Sequence, residues 1–469
     1  MHQPGPSLLD LPELSGNLAN SIRIPPELDV PVTSRVMALV ETPQMQRLKR
    51  ITQLGLVGHV YPGATHTRFE HSLGVYRLAC EVLRHLLGVD SHFASRVTDH
   101  ELKIFLVAAL MHDVGHWPYC HPLEDLGLPW IPKHESLALA HLSAPEVHSI
   151  LQSQWGLAPH EVSDFLSEQP TSGVSPVLYN VLNGPVDIDK MDYLQRDSLH
   201  AGVPYGRNFD SGRLIKSLCI NHDEQSLAIT PKGKTATELL VFARYVMFSE
   251  VYWHHTVRSA TAMLQRLVYS IAQATNAAEL GAEALANNWR ELWLQQTDSE
   301  FAEQMLECSR RIPDLASLAC GLFGVDRRLY KRVAQYSHAE NPQIHAALAQ
   351  RPYPHLVQCA AKLAKQLSRG LARPLLATDV LLDAPPVKLE VQFRMGIRLA
   401  SGTTTDAVFA PLTQQSPVVR ALATDQFDSF VKQVRVFIAP DRVQEISFTE
   451  ESLADSLIAA ASSCSTSPH

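Results

Sequence analysis

Long apolar runs, paired cysteines and an excess of basic charge are all missing from this chain of 469 residues, and each absence closes off a class of function. No stretch reaches the roughly 18–20 apolar residues that a membrane-spanning helix needs. The opening segment MHQPGPSLLDLPELSGN has neither a basic start nor a continuous apolar core, so a secretory leader is not expected. Seven cysteines occur without CxxC spacing, one of them in a Ser-rich terminal stretch. That usage fits reduced thiols in the cytoplasm better than a disulfide framework. A formal net charge of −8 argues against a main task of gripping a nucleic-acid backbone over a wide surface. It leaves room for a local cationic pocket around a small anionic ligand.

What remains is an ordinary globular composition, 45% hydrophobic and 19% charged, long enough for one large domain with a smaller one appended. Residues 1–30, rich in Pro and Leu, read as an N-terminal arm. Thr42 and Pro43 open a helix as N-cap and first helical residue. The segment RFEHSLGVYRLACEVLRHLL carries apolar residues at 69, 73, 76, 80, 83 and 87, the spacing of an amphipathic helix. ELKIFLVAALMHD is apolar on nearly every side, so it predicts a central helix ended by Gly115 and Pro118. Further helices are expected at 134–154, 186–198 and 233–274, the last long enough to kink, with shorter ones through 278–370. Near 375–385 the pattern changes to β-branched and alternating, in PVKLEVQFRMGIRL and KQVRVFIAP, with a helix-like SPVVRALATDQFDSFVK between them. The division expected is a helical core over 31–275, a helical extension over 276–375, a small α/β subdomain over 376–455 and a disordered tail over 456–469. The chain shows no internal repeats.

The central helix ends in ALMHDVGHWPYCHPLED, which puts histidines and carboxylates at the end of a buried run. An unpaired buried charge costs several kcal/mol or more, so Asp113 calls for a partner or a metal. His112 and His116, four residues apart, share a helix face. Taken alone, the pair His112–Asp113 favours an ordinary core histidine and helix cap. The surroundings shift that balance. Upstream, Arg68 and His71 lie on one side of a helix; downstream, Asp189, Tyr193 and Asp197 recur at four-residue spacing beside Lys190. Arg244, Phe248 and Tyr252 do the same on the long helix. Such faces suit a phosphorylated, ring-bearing ligand, and imidazoles with carboxylates suit iron, manganese or zinc better than calcium.

Together TPQMQRLKRITQLG, YPGATHTRFEHSLGV, MHDVGHWPYCH, KHES and VDIDKMDYLQRD resemble the HD-domain phosphohydrolases, and within them the deoxynucleoside triphosphate triphosphohydrolases. The resemblance covers about residues 20–275, and FAPLTQQSPVVRALATDQFD is similar to the C-terminal part of bacterial members. It implies a mainly α fold, an HD-domain helical core with additional helices and a small C-terminal α/β subdomain. It also implies hydrolysis of a deoxynucleoside triphosphate to deoxynucleoside and inorganic triphosphate. His71, His112, Asp113 and Asp189 match the ligands of a divalent metal ion (manganese, iron, magnesium or zinc). His116, His121, Glu124 and His134 match the acid–base group, with Glu124 where relatives often have Asp; His121 is the expected acid, and the choice among the three histidines stays open. Arg68, Lys190 and Arg244 match the cations that hold the triphosphate, and Gln53, Tyr193, Asp197 and Tyr252 the wall around sugar and base.

Some positions depart from the family pattern. IRIPPELDVP replaces a DPVHG-like turn, and Glu41, Lys49 and His255 stand where several relatives carry Asp, Arg and a Lys or Arg. In nucleotide-activated members these surroundings help bind an activator between subunits, so the departures put an activator site in doubt or alter its preference. A homo-oligomer, dimer or tetramer, is implied by the resemblance alone. Two alternatives remain: a related HD phosphohydrolase acting on single-stranded nucleic acid or another nucleotide, and a non-catalytic nucleotide-binding module. A nucleic-acid partner is not favoured, and no membrane is expected.

Overall fold

The computed structural model describes residues 11–15, 20–167, 175–222, 224–277, 282–386, 395–399, 408–422 and 431–464. Side-chain caps set where its main helices begin. Thr67 accepts from the Glu70 amide to start α1 (Arg68–Val89), and Thr98 with Glu101 forms a reciprocal capping box for α2 (Asp99–Met111). Asp187 caps α3 (Ile188–Ala201), which ends where Gly202 adopts φ +70°, a left-handed conformation that a side chain would disfavour. The long segment expected at 233–274 is two helices, α4 (Lys234–Met247) and α5 (His255–Ala277), separated by a wide π-helical turn over Phe248–Tyr252. The helix expected at 134–154 is likewise interrupted. It runs His134–Leu142 and resumes at Pro145, because Ala144 ahead of proline is extended (ψ 139°). The helix opened by Thr42 is short, Pro43–Arg47, and tightens into a 3-10 turn at Leu48–Arg50.

The described residues form two hydrophobic cores. In the first, Leu73, Tyr76 and Leu83 of α1 join Phe105 and Leu106 of α2, and α3 also packs on α1. The second gathers Ala260–Ala272 of α5, Trp117, Trp293 and Phe301, together with α6 (Tyr353–Leu367) and α7 (Glu450–Ser462). The turn after α2 crosses between them: Val114 belongs to the first core, Trp117 and Cys120 to the second. Trp117 stacks on Trp293 with centroids 4.2 Å apart and planes at 10°, which anchors the far end of the turn.

Strands are few. A hairpin of β1 (Ser21–Ile24) and β2 (Leu28–Pro31) pairs Ile22 with Val30. A four-stranded sheet has the order β3 (Leu218–Asn221), β4 (Ser226–Ile229), β7 (Gly396–Arg398), β8 (Phe409–Pro411), parallel only at β4–β7. A three-stranded antiparallel sheet has β9 (Val434–Ile438) between β5 (Lys331–Tyr336) and β6 (Val380–Asp383). All five residues of β9 are buried, so it needs a neighbour on each edge and takes β5 from a stretch expected to be helical. The strands expected over 376–455 therefore divide between two sheets.

The mainly α fold read from the sequence is what the chain adopts. The tail differs: residues up to 462 are helical in α7, which buries Leu453, Leu457, Ala460 and Ala461, an apolar stripe hidden in a low-complexity composition. Residues 465–469 of that tail, 387–394 of the first C-terminal strand segment and 423–430 of the helix-like segment lie outside the described residues. No described helix is long and apolar enough to cross a membrane.

Candidate active site

The metal-ligand expectation brings together residues from three helices. His71 sits in the first turn of α1, His112 caps the C-terminus of α2 and Asp189 lies in the first turn of α3. Their donor atoms lie within 4.8 Å of one another: His71 Nε2 is 2.9 Å from Asp189 Oδ1 and 3.2 Å from His112 Nε2. Asp113 Oδ1 stands 3.4 Å from His112 Nε2, while its Oδ2 accepts from Arg68 Nη1 at 2.8 Å.

The two histidines are aimed from behind. His112 Nδ1–H donates to the Ala109 carbonyl at 3.1 Å, and His71 Nδ1–H donates to Asp192 Oδ2 at 2.9 Å, so both present Nε2 to the centre. Asp192 in turn takes two bonds from Arg196, each 2.8 Å. Two nitrogens and one carboxylate converging in this way, with Asp113 beside them, fit a divalent transition metal. Without one, the charges must balance among themselves. Burial lowers the His71 imidazole, but the hydrogen bonds to Asp189 and Asp192 outweigh it and carry its pKa up to about 10. Burial likewise works to raise Asp113, and His116, His112 and Arg68 overcome it, holding the carboxyl well below its ordinary range.

Beside this centre lies the second layer. His116 Nε2 is 3.2 Å from His121 Nε2, and its ring packs 3.9 Å from that of His134. His116 Nδ1 is 3.1 Å from Asp113 Oδ1 yet poorly aligned to bond with it. Glu124 accepts from the His134 amide at 2.7 Å and from His134 Nδ1 at 2.9 Å, and its Oε2 lies 3.4 Å from His121 Nδ1. Burial would lower His134, but Glu124 raises it; burial would raise Glu124, but His121 and His134 hold it down. Burial and Arg68 push His116 far below the usual imidazole range, against the pull of Asp113.

Gln53, Arg68, His121, Asp189, Lys190, Tyr193, Arg244 and Tyr252 line one cavity of about 500 Å³, closed by Tyr119, Phe248 and Trp253. Of the three second-layer histidines, only His121 lines it. Lys190 Nζ is held by Asp187 at 2.5 Å and the Gly184 carbonyl at 3.1 Å. Buried Gln53 Oε1 has no protein partner. Asp197 is not on the wall. It lies behind it, accepting from the Tyr252 hydroxyl at 2.6 Å and bonding His66 Nε2 at 2.9 Å. His255 lies in a separate cavity of about 630 Å³ rimmed by Arg327, Arg328, Lys331 and Arg332.

Sequence reasoning missed Asp192, Arg196, His66 and Tyr119. The Asp192–Arg196 pair was visible as an i, i+4 carboxylate–guanidinium on α3, but nothing tied it to His71. Tyr119 holds a left-handed φ of 54° at the start of the short helix Cys120–Glu124, where it rests on Phe301 and Phe323. Gly74 allows α1 to lie on this group, for a Cβ there would fall 2.0 Å from Asp192 Oδ1.

Comparison with known proteins is consistent with this geometry. Residues 68–146 match the HD domain, and residues 209–455 match the HD associated region. The chain is 34% identical over 238 residues to the uncharacterized protein YwfO of Bacillus subtilis, covering 50% of this chain and 52% of that one. It is 31% identical over 250 residues to the deoxynucleoside triphosphate triphosphohydrolase SAMHD1 of Homo sapiens, covering 47% and 39%. The chain spans about half the length of the curated relatives it matches. A phosphohydrolase structure from Bacteroides thetaiotaomicron superposes with TM-score 0.67 at 24% identity, over 90% of this chain and 100% of that one. A hypothetical protein from Aquifex aeolicus gives 0.64 at 22%, over 93% and 99%. These two likenesses speak to the fold. With an HD domain over 68–146, an HD associated region over more than half its length and the His–Asp centre between α1, α2 and α3, the chain belongs to the HD-domain phosphohydrolase family.

Proposed function

We propose that the cavity binds a deoxynucleoside triphosphate and hydrolyses it at the α-phosphorus, releasing deoxynucleoside and inorganic triphosphate. The observation that carries this reading is the composition of one cavity wall: a metal-donor carboxylate, Asp189, beside Arg68, Lys190 and Arg244 and the rings of Tyr193 and Tyr252. Cations suited to a triphosphate and aromatic rings suited to a nucleoside meet at the donor set. The likeness to the SAMHD1 sequences supports the same substrate class.

His71, His112, Asp113 and Asp189 would hold a divalent ion, which would lower the pKa of a bound water and polarise a phosphoryl oxygen. Arg68, Lys190 and Arg244 neutralise and orient the phosphate chain. The 5′-oxygen is a poor leaving group, and His121 protonates it as it departs, a contribution of about 10²–10⁴-fold. What supports His121 over its neighbours is its position on the cavity wall, with His116 and His134 behind it. Glu124 and His134 orient and tune it. Gln53 Oε1, without a protein partner, is suited to accept a bond from the sugar or base.

The test is incubation of metal-analysed protein with each deoxynucleotide, singly and in mixtures, with products separated by chromatography. Deoxynucleoside plus triphosphate is the expected outcome. Mononucleotides released from single-stranded oligonucleotides would replace this reading with a nuclease-like one, and binding without turnover under any supplied metal would make the protein a nucleotide-binding module. Dependence of one nucleotide's turnover on another, read in the mixtures, tests activation. Light scattering tests the expected dimer or tetramer.

A further inference from the structure

Three metal-type donors meet away from the cavity, where α7 packs on α6. His355 and Cys359 are four residues apart on α6 and so share one face. Cys464, just beyond α7, supplies a third donor: its Sγ is 3.2 Å from Cys359 Sγ, and all three donor atoms lie within 4.8 Å of one another. Both cysteines are buried free thiols.

The histidine supplies an independent observation. His355 Nε2 is buried and has no hydrogen-bond partner. A buried acceptor left without a donor costs free energy and calls for an explanation. A buried imidazole nitrogen without a partner, gathered with two thiols, suits a metal ligand. Two thiolates and a neutral imidazole also cancel the charge of a divalent ion, so the group tolerates burial once both thiol protons leave to solvent. Burial and the neighbouring Cys464 push the Cys359 thiol up in the metal-free chain, and Lys362, which donates to the Ser463 carbonyl, works against them.

We propose that His355, Cys359 and Cys464 form a second metal site, for a zinc-class divalent ion, that fastens α7 to α6. With three protein ligands, a tetrahedral ion takes a water as its fourth. This site does not depend on the reaction proposed for the cavity.

The experiment must separate it from the cavity, where Cys120 stands with His116, His121 and His134. Cobalt(II) substitution does so, because thiolate-to-cobalt charge transfer requires a cysteine ligand. The full chain loaded with cobalt should show that near-ultraviolet band. It should be lost in Cys359→Ser and in Cys464→Ser, weakened in His355→Ala and kept in Cys120→Ser. Circular dichroism of the metal-free variants controls for folding. No band in the unmodified chain overturns the proposal, as does a band lost only in Cys120→Ser. A reductant-sensitive Cys359–Cys464 disulfide in protein purified with zinc present would overturn it too.

Discussion

Replacing Asp192 by Asn should loosen the metal without touching a ligand. The substitution keeps the shape of a buried side chain and removes its charge. In the native arrangement the carboxylate accepts His71 Nδ1–H at 2.9 Å and two bonds from Arg196 at 2.8 Å. An Asn oxygen serves one of these donors, and its NH₂ group turns toward the other. If that group faces His71, Nδ1 must accept, and the ring proton moves to Nε2, where the metal needs a lone pair. Loss of such an orienting partner costs about 10–100-fold in metal affinity, or about 1.4–2.7 kcal/mol. Arg196 keeps Glu70 at 2.5 Å, so the fold loses one charge-assisted bond, worth about 1.5–3 kcal/mol. The assay is a competitive chelator titration at a temperature where circular dichroism shows the variant folded. Metal affinity equal to that of the unmodified protein would refute the orienting role of Asp192.

Gly74→Ala tests the close approach of α1 to α3: a Cβ at 2.0 Å from Asp192 Oδ1 must push that carboxylate aside, so overpacking of about 1–3 kcal/mol and a lower melting temperature are expected. An unchanged melting curve would show that the helices do not meet as described. Burial first and Arg47 second hold His141 neutral, with a pKa down to about 3. Between pH 6.5 and that value the unfolded chain binds a proton that the folded chain does not, so stability falls as pH drops. At 1.36 kcal/mol per pH unit this is at most about 4–5 kcal/mol, and His141→Gln should flatten the acid slope of denaturant-derived stability; an identical slope would contradict it. Glu124→Gln releases His121 and His134 from their carboxylate, so kcat should fall about 10²-fold with metal content unchanged. Full activity on deoxynucleotides would remove Glu124 from the acid–base group.

The helices were legible where local chemistry decides them. Thr67, Thr98 and Asp187 each cap a helix already expected from the sequence. The proposed metal donors His71, His112 and Asp189 could be picked out only by resemblance, since nothing in their separation along the chain says that α1, α2 and α3 converge. Less was legible where partners are distant. Asp197 read as a cavity residue from its spacing, but its carboxylate faces His66 and Tyr252. Residues 456–462 read as a tail because small residues dominate there, and the helix forms because α6 supplies a surface for its stripe.

By itself the sequence determined where the main helices of the core begin, which side chains are chemically able to hold a metal and phosphates, and which family pattern they follow, because caps, periodicity and residue type act over a few neighbouring residues. Tertiary structure decided which of those side chains meet. Only packing between α1 and α3 puts Asp192 behind His71, and only the crossing of the His112–His121 turn between two cores brings His121 to the cavity wall. The physical reason is the same in each case: orientation and pKa depend on groups within a few ångströms in space, and those groups come from distant parts of the chain.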